Sequence, residues 1–140
     1  YTYFYRRSAF LTIADINADG VYVAEYPTGQ CAVINANGSG FLFNAGANLK
    51  CVPQAINRKR AVVGQYYWYD WTPFVYSDNA APGFTGFRHL NSITSFSEPG
   101  HWLTHAYGIN DNGFIVAVGH RSGDLTGTAR AYLLTPVITP

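Results

Sequence analysis

The stretch DINADGVYVAEY, residues 15–26, decides how this chain is read. Its first six residues put Asp15, Asn17, Asp19 and Gly20 at the first, third, fifth and sixth positions of a calcium-binding loop. The same letters also spell a polar turn feeding a strand, because Asn bonds nearby backbone groups and Val-Tyr-Val suits a pleated surface. Two further stretches separate these readings. AINRKRAVVGQY at 55–66 and GINDNGFIVAVGH at 108–120 follow one template with the first: Ile-Asn, a polar three-residue turn, then a strand. In the second copy the turn is Asn57-Arg58-Lys59-Arg60, which cannot hold a dication, and in the third Gly108 replaces the leading Asp. The first copy has Tyr26 where a calcium loop ends on a carboxylate, although Glu25 adjoins it. What recurs is Ile-Asn and a turn. A buried Ile with an Asn capping the turn is therefore expected, and no metal ligand or cofactor site is assigned.

Working outward, each copy is followed by a second strand, CAVI at 31–34, PFVYS at 73–77 and ARAYLL at 129–134. Ile16, Ile56 and Ile109 lie 40 and 53 residues apart, lengths that suit a repeated sheet of three or four strands with a surface insertion in the longer interval. Strands are expected at 2–7, 9–13, 21–26, 30–34, 40–43, 61–68, 73–77, 84–90, 114–120 and 130–135, short runs rich in Val, Ile, Tyr and Phe between Gly, Asn, Asp or Pro clusters. Residues 91–106 are expected to hold one short turn at most, because Pro99-Gly100 breaks them. The chain thus reads as a single all-β repeat domain over 1–140, with repeat turns at 15–20, 55–60 and 108–113. Its expected architecture is a set of antiparallel sheets, β-propeller-like with about three blades, the alternative being a β-sandwich or irregular barrel.

Composition narrows the function classes. Charged residues are only 12% of the 140, and the formal charge is +1. The one basic run, Arg58-Lys59-Arg60, is too short for a nucleic-acid footprint and reads as a solvated turn. No apolar run approaches the ~18 residues of a membrane span. The chain opens at Tyr1 rather than Met, as expected of a processed product or an excised piece. Cys31 and Cys51 bracket a loop with Asn-Gly and Gly-Ser-Gly turns. Few charges, many tyrosines and no Met fit an extracellular protein in which a Cys31–Cys51 disulfide persists; two buried free thiols are the alternative.

Residues 107–136, YGINDNGFIVAVGHRSGDLTGTARAYLLTP, resemble the HAF-type repeat of secreted bacterial proteins. Ile109, Asn110, Gly113, Val116, Gly119, Arg130, Ala131, Tyr132 and Leu133 take the positions of that pattern. The second copy matches at Ile56, Asn57, Val62, Val63, Gly64, Phe74 and Tyr76, with Arg60 where Gly is usual. The first matches at Ile16, Asn17 and Gly20, with Ala24 in place of the strand Gly. The resemblance implies an extracellular propeller-like array and no settled activity. Propellers close with about four to eight blades, more than this chain holds. Its unpaired edges are therefore expected to meet other copies, giving a homo-oligomer such as a two-chain ring or a head-to-tail filament.

Groups able to do chemistry are sparse. His101 and His105 are four apart, a metal-binding spacing on a helix, but no Glu follows His101 as in the zinc-protease motif. There is no Gly-x-Ser-x-Gly elbow and no phosphate loop. No catalytic residue is assigned. The aromatic run YYWYDW at 66–71 is the best binding candidate. In an extended strand Tyr66, Trp68 and Asp70 share one face while Tyr67, Tyr69 and Trp71 share the other. Tyr67, Trp68, Tyr69, Asp70 and Trp71 could grip a sugar ring by stacking and hydrogen bonding, or pack between blades or subunits. Trp102, with His101 and His105, is a second candidate. The function expected is a secreted, non-enzymatic structural subunit that self-associates, the alternative being a lectin-like carbohydrate-binding module.

Overall fold

The computed structural model describes residues 2–3, 10–43, 49–77 and 86–137. Within them the chain is all-β apart from one helical turn. It forms β1 (Thr12–Ile16), β2 (Tyr22–Glu25), β3 (Cys31–Ile34), β4 (Gly40–Phe43), β5 (Lys50–Ile56), β6 (Ala61–Trp68), β7 (Asp70–Ser77), β8 (Gly86–His89), α1 (Leu90–Ile93), β9 (His101–Ile109), β10 (Ile115–Arg121) and β11 (Arg130–Leu134). Neighbours in sequence pair antiparallel, giving sheets β1-β2-β3-β4, β5-β6-β7-β8 and β9-β10-β11 that are not closed into a barrel.

The three template copies fall at the same place in the three sheets. Ile16, Ile56 and Ile109 each end the first strand and oppose Tyr22, Val62 and Ile115 at the start of the second. The Asn that follows closes the turn. Asn17 Oδ1 accepts from Val21 N, Asn57 Oδ1 from Ala61 N and Asn110 Oδ1 from Phe114 N at 2.8–3.0 Å. The last turn residue is left-handed, with φ of 79° at Gly20 and 84° at Gly113. At Arg60 the same φ, 67°, is held by a residue with a side chain, at a cost of about 1–2 kcal/mol. The Arg60 guanidinium offsets this by donating to Asn35 Oδ1 of the first sheet at 2.6 Å.

Two cores fill the seams between sheets. The first joins Val21, Val23, Cys31, Val33 and Phe43 of the first sheet to Cys51, Ile56, Val62, Tyr66 and Phe74 of the second. The second joins Ala55, Val63 and Val75 to Leu103, Ala106, Ile115 and Ala117 of the third sheet and to Leu90. The middle sheet is covered on both faces, which is why β6 is buried without alternation from Ala61 to Tyr66. Cys31 and Cys51 form a disulfide across the first seam, with Cα atoms 5.5 Å apart. Gly64 and Gly119 are required by close approach, since a Cβ at either would overlap the carbonyl oxygen of Val52 or Trp102.

The strand expected at 2–7 lies mostly outside the described residues, as does the start of the one at 84–90. Three strands depart from expectation. The one expected at 9–13 is β1, Thr12–Ile16, which takes in the first two residues of the turn expected at 15–20. β5 is absent from the sequence reading because Pro53 reads as a breaker; here the ladder shifts register between Pro53 and Ala55, so a bulge takes up the missing N–H. β9 occupies much of the segment expected to hold one turn, and α1 is that turn. Its pattern was masked by irregularities at two places along β10.

Candidate functional site

The aromatic run does not continue as a strand. The chain reverses at Tyr69, which is left-handed at φ 62°, so Tyr67 opposes Trp71 and Trp68 opposes Asp70 across β6 and β7. Tyr67, Trp68, Tyr69 and Asp70 are exposed at this hairpin tip and Trp71 is half-buried. Tyr67 meets Trp71 edge-on with ring centres 5.3 Å apart, and Trp68 meets Tyr69 at 5.4 Å. The extended-strand division of these residues into two faces is therefore corrected: the six residues form two short arms and a tip.

From Trp71 the row crosses into the third sheet. Its ring lies 5.7 Å from His105, and His105 stacks on Tyr107 at 5.7 Å with the planes 2° apart. Tyr67, Trp71, His105 and Tyr107 thus make one continuous aromatic row spanning two sheets. Burial chiefly, and the His120 imidazole secondarily, lower the His105 pKa, which keeps the ring neutral and suited to stacking at neutral pH. Sequence reasoning missed His105 and Tyr107 as members of this row. Their i, i+2 spacing would place both on one face of a strand, and that signal was hidden with β9 itself.

The paired histidines are not a joint site. Both stand on β9, where four residues span roughly 13 Å, too far to share one ion. His101 Nδ1 lies 2.8 Å from the Tyr132 hydroxyl and its ring stacks on Phe96, whereas His105 Nδ1 lies 2.8 Å from Thr104 Oγ1. Trp102 is exposed and sits 5.5 Å from His120, apart from the row.

Two side-chain oxygens of the calcium-like loop, on Asp15 and Asn17, are engaged by backbone amides. Asp15 Oδ2 accepts from Ile56 N at 2.9 Å, and Asn17 Oδ1 accepts from both Asp19 N and Val21 N at 3.0 Å. Asp15 in this way joins the first sheet to the second. The Asn residues do the same along the whole stack. Asn17 Nδ2 donates to the Asn57 carbonyl, and Asn57 Nδ2 to the Asn110 carbonyl, both at 3.0 Å. Asp111 Oδ1 adds a bond from Arg58 N at 2.7 Å. A cleft of about 290 Å³ beside the disulfide, bounded by Leu11, Tyr26, Thr28, Leu49 and Lys50, brings Glu25 and Lys50 to its wall but no nucleophile–base pair.

The ends of the stack differ from its middle. Ile16 is 60% exposed where its counterpart Ile56 is 5% exposed, and Val116 is 50% exposed where Val23 and Val63 are fully buried. Ile13 and Leu42 on the first sheet and Leu133 on the third are also exposed. Among the described residues no helix is long and apolar enough to cross a membrane. A scan of protein-family models and searches of curated proteins and of solved structures find no match to this chain.

Proposed function

We propose that this protein acts by associating with copies of itself, as a non-enzymatic structural subunit of an extracellular β-repeat assembly of propeller-like build. The observation that carries this is the exposure of Ile16 and Val116, repeat positions that the middle sheet buries. Apolar side chains that a repeat covers internally and leaves open at its ends are the usual mark of an unfinished array. The Cys31–Cys51 disulfide supports an oxidising compartment, and the three Ile-Asn turns keep the resemblance to HAF-type repeats as the family reading. Light scattering on the size-exclusion peak across a concentration series tests it. A dimer or larger species is expected, and a strict monomer at every concentration removes the reading.

A second reading is favoured by the row Tyr67, Trp71, His105 and Tyr107 beside exposed Trp68, Tyr69 and Asp70. Flat rings with polar tips suit a carbohydrate chain. Under this reading oligosaccharides quench or shift tryptophan fluorescence, and Trp71→Ala abolishes the response without altering oligomeric state. Unchanged fluorescence at millimolar sugar sinks it.

A further inference from the structure

The repeat has a direction, and that direction fixes how two copies meet. In each sheet the Ile of the Ile-Asn turn faces the preceding sheet: Ile56 lies in the first-seam core and Ile109 packs on the second. The Val seven residues later faces the following sheet, with Val23 in the first-seam core and Val63 in the second. Among the described residues this leaves Ile16 without a preceding sheet and Val116 without a following one, and these are the exposed members of their series. The asparagine ladder ends the same way. Each internal Asn amide donates to the carbonyl of the next Asn, leaving the exposed Asn110 amide as the donor end and the Asn17 carbonyl, which among the described residues takes only the turn bond from Gly20 N, as the acceptor end.

We infer that the third sheet of one copy packs on the first sheet of a second copy, head to tail, in the register of the internal seams. Val116 then meets Ile16 of the second copy, and Asn110 Nδ2 donates to the Asn17 carbonyl of the second copy. Phe10 lies against Tyr22 and Tyr26 on the outer face of the first sheet, and Ala24 and Ala32 there are buried. The contact is therefore made by the exposed Ile13, Ile16 and Leu42 around them. Contact between like ends would instead set Val116 on Val116 and give neither Asn110 amide the carbonyl that its internal counterparts have. Unlike faces meeting in this way close a ring or grow a filament. The inference rests on the self-association reading and adds its polarity and register.

Two charge insertions at exposed positions test it on the whole chain. Ile16→Asp blocks one end and Val116→Asp the other, and circular dichroism checks that each variant keeps the fold. Head-to-tail packing makes each variant monomeric alone, while an equimolar mixture forms a one-to-one complex through the single intact seam. If either variant still self-associates, like ends meet and the inference falls while self-association stands. A mixture that stays monomeric also overturns it, and a monomeric parent chain overturns both readings. Asn110→Asp replaces the donor with an acceptor and is expected to weaken association about tenfold. Unchanged association would overturn the register.

Discussion

The two seams of this molecule are built on one backbone plan and filled in opposite ways. The first is aromatic and stapled. Phe43 stacks on Tyr76 with ring centres 4.1 Å apart, meets Phe74 edge-on at 5.8 Å, and lies near a disulfide that links β3 to β5. The second is buried by Ala55, Ala106, Ala117 and aliphatic side chains such as Val63, Leu103 and Ile115, with Phe96 and Tyr132 only partly buried against it and no cross-link among the described residues. It is closed instead by Asn91 of α1, which donates to the Leu103 carbonyl at 2.9 Å and accepts from Leu103 N at 2.8 Å. Across both seams the Asn-to-Asn bond is the same, 3.0 Å long. The turn ladder sets spacing and register, so the filling between sheets is free to vary. Large rings with a staple and small residues with a polar clip are two solutions to one geometry.

Core truncation should separate the seams most sharply. Phe74→Ala is expected to cost about 3–5 kcal/mol and Leu103→Ala about 2–5 kcal/mol, read from denaturant midpoints. Hydrogen exchange should quicken first around β3 and β5 in the former and around β9 and β10 in the latter; identical patterns would mean the stack unfolds as one unit. Replacing both Cys31 and Cys51 by Ala should cost about 3 kcal/mol in the chain-entropy model. The loss is expected to fall on the first seam, and equal loosening of both would break the comparison. Asn57→Ala should cost about 1–2 kcal/mol. It removes the acceptor for Ala61 N and the donor to Asn110, and should exceed Asn110→Ala, which among the described residues of the single chain removes only the turn bonds. Thermal melts of the two variants decide this.

The smallest expected effect is a pH dependence confined to the second seam. The His105 pKa in the fold lies below its ordinary value, mainly through burial beside Trp71. The unfolded chain therefore takes up the proton first, and stability falls as pH drops through about 6.5, the unperturbed value for histidine. It levels off once the folded form is protonated too. Melts between pH 8 and pH 5 should show this slope, and His105→Phe should remove it.

The strands and the three equivalent turns were legible because Ile-Asn recurs with a fixed strand after it, and because Asn57 and Asn110 need no partner in sequence to cap a turn. The disulfide was legible from Cys31 and Cys51 alone. What stayed hidden depended on contacts distant in the chain. Pro53 looks like a breaker until its bulge is seen, and β9 loses its alternation at its irregular pairs. Nothing in YYWYDW marks Tyr69 as a turn, since a left-handed tyrosine carries none of the usual Gly or Asn signal. His105 joins the aromatic row only because the second and third sheets pack together.

The middle sheet, with one face shaped for a predecessor and the other for a successor, has a consequence for engineering. A duplicate of the segment from Lys50 to Ile93, spliced in after the original, keeps the seams with the first and third sheets, but between the two copies it sets the first-seam face, with Cys51, Tyr66 and Phe74, on the second-seam face, with Ala55, Val63 and Val75. Longer versions of this molecule should therefore be obtainable by copying once that single seam is refilled and the second Cys51 replaced, and each added module should lengthen the asparagine spine by one rung.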